Sequence, residues 1–128
     1  MKNLIFVILG MSSCICNFAF ANNTSDCFKY ADEKKFSKAV DYCIDACNKE
    51  RNRIACTLVG DAYQTGIGVW FKNKEKALDY YMKACYLRED DTPDQTKACS
   101  IAIRLITELG PNSIPHKYRD IYQNFPRN

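Results

Sequence analysis

Apolar side chains recur every three or four residues along most of the chain, which is the spacing that places them on one face of an α-helix. Residues 39–47 and 77–85 show this spacing most clearly. The pattern predicts an all-α protein. The predicted helices cover residues 25–33, 36–49, 53–65, 73–88, 94–109 and 115–124.

Asparagine, glycine and proline mark the helix ends. Asn73 suits the position before a helix, because its side chain can accept a hydrogen bond from a first-turn amide. Gly66 and Gly68 interrupt the preceding helix, since glycine enters left-handed conformations without steric cost. Pro93 suits the first turn of the next helix, which Gly110-Pro111 ends.

The chain contains an internal repeat. Residues 38–47 align without a gap on residues 76–85, at an offset of 38, and residues 55–58 match residues 98–101 at an offset of 43. The extra residues of the second match fall in a polar connection, where an insertion costs little. The repeat predicts a short α/α solenoid of antiparallel helix hairpins, in units of about 25–49, 53–88 and 94–125.

The last predicted helix, 115–124, is interpreted as the cap of this stack. Its apolar side chains, Tyr118, Ile121, Tyr122 and Phe125, share one face, and charged residues lie between them. The terminal unit of a solenoid covers the end of the core with such a face. We therefore expect the four apolar side chains to be buried.

The first 21 residues have the pattern of a secretory signal peptide. Lys2 is followed by an apolar run at 4–9, and Ala19-Phe20-Ala21 is a small-x-small cleavage signal. The apolar run is too short and too interrupted to span a bilayer. The pattern predicts a mature chain of residues 22–128 that forms one domain, without a membrane segment, in the periplasm or outside the cell.

A competing interpretation is a lipoprotein that is cut before Cys14. It fits less well, because Met11 is a weak residue for that cleavage motif and the signal at 19–21 would stay unused.

Removal of the signal peptide leaves six cysteines: Cys27, Cys43, Cys47, Cys56, Cys85 and Cys99. An even set in a short exported chain indicates three disulfides, and six cysteines allow 15 pairings. The spacing does not favour a metal site, because there is no Cys-x2-Cys pair and His116 is the only histidine.

The charges and loops point to no nucleic acid and no cofactor. Positive residues of the mature chain number 17 against 15 acidic ones, and the two signs are interleaved. That is a solvated surface and not a nucleic-acid footprint. Gly66-x-Gly68 follows a helix and lacks the Lys-Ser/Thr of a phosphate loop, so we expect a turn there.

A longer motif runs through residues 55–85. Its members are Cys56, Val59, Gly60, Tyr63, Gly66, Gly68, Val69, Asn73, Lys76, Ala77, Tyr80, Tyr81, Lys83, Ala84 and Cys85. This segment resembles a Sel1-like repeat, a short relative of the tetratricopeptide repeat. The terminal cysteines make it similar to the disulfide-rich Helicobacter cysteine-rich protein type. It departs from that pattern in having Val59 for leucine, Asn73 for aspartate and one extra residue after Val69.

The resemblance implies a disulfide pairing. In that family the cysteine that ends one repeat is bonded to the cysteine that opens the next. Carried over, this gives Cys47 with Cys56 and Cys85 with Cys99, and it leaves Cys27 with Cys43. Such bonds close if the Cα atoms approach to about 5.5 Å.

The resemblance also implies a function. Sel1-like proteins serve as adaptors, so we expect an exported module that binds a protein or a short peptide. A particular version is a periplasmic immunity protein that blocks a toxin. The alternative is penicillin-binding or β-lactamase activity, which is attributed to similar cysteine-rich proteins. The chain has no Ser-x-x-Lys and no Lys-Thr-Gly, so no catalytic residue is predicted.

Trp70 and Phe71 are the candidate partner-binding residues. They fall in a loop where the family carries polar residues. Two large apolar groups there are either folded over the helix hairpin or offered to a partner, to which aromatic residues contribute much of the binding energy. Tyr63, Tyr80 and Tyr81 lie at packing positions of the family, where we expect core.

Overall fold

The computed structural model describes residues 22–87 and 93–123, and it confirms the all-helical fold. No strand occurs within these two ranges. Two short 3-10 helices, Pro111–Ser113 and His116–Tyr118, lie near the C-terminal end. The α-helices are α1 Asn23–Asp32, α2 Phe36–Asn48, α3 Arg53–Thr65, α4 Lys74–Tyr86, α5 Pro93–Leu109 and α6 Arg119–Gln123. The predicted signal peptide at 1–21 and Phe125 lie outside the described residues.

Consecutive helices from α1 to α5 pack against one another as hairpins. This confirms the short α/α solenoid. None of the helices in the described ranges is long and apolar enough to cross a bilayer. The buried residues form two clusters along the stack. The first cluster lies among α1 to α5 around Cys43, Cys56 and Val59, and the second lies around Leu78, Tyr81 and Leu105.

Asparagine caps explain where three of the helices begin. The Asn73 side chain accepts a hydrogen bond from the Lys76 backbone N–H at 2.9 Å, as predicted. Asn52 does the same for Ala55 at 2.9 Å, and Asn22 caps α1. Each side chain satisfies an amide that the first turn leaves without an intrahelical partner.

The internal repeat recurs as a repeated set of contacts. In the first hairpin Tyr30 stacks on Tyr42 with centroids 5.3 Å apart, and the Lys38 ammonium lies 4.2 Å from the Tyr30 centroid. In the second hairpin Tyr63 stacks on Tyr80 at 5.9 Å, and the Lys76 ammonium lies 5.2 Å from the Tyr63 centroid. Lys76 and Tyr80 thus make the same contacts as Lys38 and Tyr42, which lie 38 residues earlier, although the partner rings Tyr30 and Tyr63 are 33 residues apart.

The prediction of one continuous helix at 115–124 is wrong. The structure has the 3-10 turn His116–Tyr118 followed by α6, and Ile121 is 47% exposed although Tyr118 is buried. Pro115 is extended and has no N–H to give to a helix. The predicted helix is therefore broken at Pro115, and Ile121 of the short α6 does not enter the second cluster. Buried Ile114 closes the second cluster in its place.

Arg53 is a buried charge that sequence reasoning missed. It is 5% exposed at the start of α3, and its Nε donates to the Ala84 carbonyl at 3.1 Å. Its terminal nitrogen also donates to the Leu87 carbonyl. Both acceptors lie at the C-terminal end of α4, where carbonyls lack intrahelical partners and a cation is favourable. Arg53 thus ties the start of α3 to the end of α4.

Candidate binding site at the α3–α4 loop

The loop between α3 and α4, residues 66–73, is held at both ends, and we call it the site loop. Gly66 ends α3 in the left-handed conformation at φ +81°, and Gly68 follows at φ +80°. The Asn73 backbone N–H donates to the Tyr63 carbonyl at 2.8 Å, which closes the loop. This confirms the predicted turn at the two glycines.

Gly68 brings the site loop against the first turns of α2. A Cβ atom at Gly68 would lie 2.8 Å from the Phe36 carbonyl oxygen and 3.0 Å from Val40 Cγ2. Only a residue without a side chain permits this approach. The site loop therefore rests on the neighbouring hairpin and has a fixed position.

Trp70 and Phe71 project from this fixed loop into solvent. Trp70 is 95% exposed and Phe71 is 80% exposed, so neither folds over the hairpin. Ile67 of the site loop and Phe36, at the start of α2, are also partly exposed. The sequence named the first two residues but missed Phe36 and Ile67, because their neighbourhood depends on how the loop docks. Trp70 and Phe71 are adjacent in the loop, and exposed apolar side chains that lie together mark interaction sites.

A groove of about 690 Å³ opens beside the two aromatic residues, and we call it the loop groove. Val40 and Ile44 of α2 form one wall, Lys76 of α4 lies on the other, and Tyr63 lines the groove between them. Trp70 and Phe71 border it as well. At the far ends of the two helices, the Lys83 ammonium donates to the Asn48 side chain and holds α2 to α4.

A second hollow of about 250 Å³ lies on the other side of the site loop, between α1, α2 and α3. Phe36, Ala39, Leu58 and Ala62 line it together with Ile67 of the site loop. The hollow is open because the side chains of Ala39 and Ala62 are small. The site loop thus separates two hollows, and its apolar side chains border both.

Tyr81 fixes the helix pair that carries the site loop. Its ring is fully buried against Gly60, where a Cβ atom would lie 2.9 Å from Tyr81 Cε1. Its hydroxyl donates to the Asp61 carboxylate, and the Gln64 amide oxygen lies 2.9 Å away. Burial raises the pKa of the Tyr81 hydroxyl, so the group stays protonated and keeps donating. As expected, Tyr81 is core, whereas Tyr63 and Tyr80 are half-buried.

The six cysteines form three disulfides that brace the stack. The bonds are Cys27–Cys43, Cys47–Cys56 and Cys85–Cys99, and the Cα atoms of each pair are 4.7 Å apart. These are the pairs that the family resemblance implies. All three lie in the helix hairpins and none is in the site loop.

Comparison with protein-family models finds no family that matches the chain. Comparisons with curated proteins and with solved structures find no match either.

The close approach at Gly68 gives a stability prediction. Gly66→Ala introduces left-handed strain, and a Cβ there meets only the flexible Lys72 side chain, so we expect a loss of about 1–2 kcal/mol. Gly68→Ala adds an overlap with the Phe36 backbone, so we expect a further loss of about 1–3 kcal/mol. Urea unfolding of both variants measures the difference. Equal losses would contradict the docking of the site loop on α2.

The exposure of Trp70 gives a spectroscopic prediction. Trp70 is the single tryptophan, so the indole fluorescence of the protein reports this position alone. Because its side chain is 95% exposed, we expect the folded protein to emit at nearly the wavelength of the urea-unfolded chain. Acrylamide should also quench both states to a similar extent. A blue-shifted emission that moves to the red on unfolding would show that the indole is buried.

Proposed function

We propose that the protein is an exported, Sel1-like helical-repeat module that binds a protein or peptide partner through the site loop. The exposure of Trp70 and Phe71 on a loop of fixed position carries this proposal. Aromatic residues dominate the energetics of many interfaces. A loop that is already ordered also loses little conformational entropy on binding, which favours affinity.

The loop groove supports a peptide-sized contact. It lies beside the two aromatic residues and has apolar side chains on the α2 wall. A partner side chain that enters the groove would contact Val40 and Ile44, and Trp70 and Phe71 would contact the partner at the opening of the groove. So few repeat units offer a small surface, so the partner is a short segment or one compact protein. An immunity protein that blocks a periplasmic toxin is the particular version of this role that we propose.

Two features support export. Disulfides persist in oxidising compartments, and the structure brings all six cysteines of residues 22–128 into bonded pairs. The signal-peptide pattern at 1–21 supplies the route. The Sel1-like assignment is supported by the motif at 55–85 and by the agreement between the family's pairing and the three bonds.

Selection from a display library of random 12-residue peptides tests the proposed function. The target is protein produced from the complete sequence in an oxidising compartment. We expect enriched peptides to bind with dissociation constants of about 1–100 μM and to shift the Trp70 emission to the blue as the indole is covered. Trp70→Ala with Phe71→Ala should weaken binding by at least about tenfold, which is the loss of one good anchor.

Ile54→Ala with Ile103→Ala is the matched control. These two residues are also large, apolar and partly exposed, but they lie on α3 and α5, away from the site loop. The control variant should bind the enriched peptides like the wild type. Peptides that bind the aromatic variant and the wild type equally well, or no enrichment at all, would contradict the proposal.

A further inference from the structure

The end of the molecule that carries the site loop is rich in lysine. We call it the basic end and define it by residues 33–41 and 66–76. Three of its lysines lie between α1 and α2 or in the first turn of α2, namely Lys34, Lys35 and Lys38. The other three lie in the site loop and at the start of α4, namely Lys72, Lys74 and Lys76. The same residues include only three carboxylates.

Few of these lysines are neutralised. Lys35 pairs with Glu33 at 2.9 Å, and Lys74 pairs with Glu108. In the part of the chain that the structure describes, Lys34, Lys38, Lys72 and Lys76 have no ion pair with a carboxylate. Lys38 and Lys76 lie over tyrosine rings instead, which orders the two ammonium groups without cancelling their charge.

Helix polarity adds little net charge here, because α2 and α4 begin at the basic end while α1 and α3 end there, and the partial charges of helix N- and C-termini are opposite. The excess of positive charge therefore comes from the lysines. The first turn of α2 has no acidic residue, and no side chain caps it. Ser37, in that turn, lines the loop groove together with Lys76 and one carboxylate, Asp41. An apolar groove, two exposed aromatic residues and an excess of positive charge therefore meet at one place.

We infer that the partner segment is acidic and carries large apolar side chains among its carboxylates. This inference rests on the proposed function and names the chemistry of its partner. The apolar side chains contact Trp70, Phe71 and the wall of the loop groove, and the carboxylates face the unpaired lysines. A second copy of this chain is a poor occupant, because its own basic end would bring like charges together.

The charges mainly steer the partner. Complementary charge raises the association rate at low ionic strength, and salt screens it over about 10 Å at 0.1 M. The apolar contacts that follow are short-ranged and do not depend on salt in this way. The two contributions can therefore be separated by variants and by ionic strength.

The experiment uses the random peptide library and then one synthetic copy of the most enriched peptide. We expect aspartate and glutamate to be over-represented among enriched peptides relative to the input library. Lys72→Gln with Lys76→Gln should lower the association rate constant of the synthetic peptide about tenfold at low salt. At about 0.5 M salt the difference from wild type should shrink to less than about twofold.

Lys49→Gln with Lys97→Gln is the matched control, because it removes the same charge from exposed residues at the other ends of α2 and α5. We expect it to change the low-salt rate constant by less than about twofold. Peptides that require Trp70 but show no excess of acidic residues would overturn this inference and leave the proposed function standing. So would Lys72 and Lys76 variants that bind like wild type at low salt, or a concentration-dependent dimer that Trp70→Ala abolishes. Binding that does not require Trp70 would overturn the proposed function itself.

Discussion

The structure depends on three covalent bonds between consecutive helices. The bonds join α1 to α2, α2 to α3 and α4 to α5. Eight of the ten buried residues in the first cluster are cysteine or alanine, which bury little apolar area each. Each disulfide contributes about 2–4 kcal/mol by restricting the unfolded chain. A domain has only about 5–15 kcal/mol in total, so these bonds decide whether the stack persists.

The site loop belongs to the pair that has no such bond. Among the described hairpins from α1 to α5, the α3–α4 pair is joined without a disulfide, by Tyr81 packed against Gly60 and by the hydrogen bond from the Tyr81 hydroxyl to Asp61. Arg53 adds a link at the opposite end of the pair. Disulfides on both sides hold the neighbouring hairpins, and the loop rests on one of them at Gly68. A short connection can thus present two large aromatic side chains without folding them inward.

The sequence predicts most of the helices because local signals mark their ends. The helix predicted at 53–65 is observed as Arg53–Thr65, and Asn73 and Pro93 occupy the start positions expected of them. The prediction of one helix at 115–124 is wrong, because apolar residues spaced three and four positions apart do not distinguish a 3-10 turn from an α-helix. The conformation of this segment depends on how Ile114 and Tyr118 pack into the second cluster, and these contacts involve residues distant in sequence.

The candidate site is predictable only in part. Trp70 and Phe71 stand out as apolar residues in a loop, but the sequence does not decide whether they fold over the helix hairpin or are exposed to a partner. The loop groove depends on the separation of α2 and α4, and the buried Arg53 depends on carbonyls 31 and 34 residues away. The basic end likewise arises because folding brings two distant lysine groups together. No local sequence pattern predicts which distant residues come together on folding.

Disulfide mapping tests the central claim most directly. Protein from the compartment to which its host delivers it is alkylated in denaturant, digested without reduction and analysed by mass spectrometry. The account predicts no alkylated cysteine among the six of residues 22–128, with peptides linked only as Cys27–Cys43, Cys47–Cys56 and Cys85–Cys99. Six alkylated cysteines, or bonds that join other pairs, would contradict it.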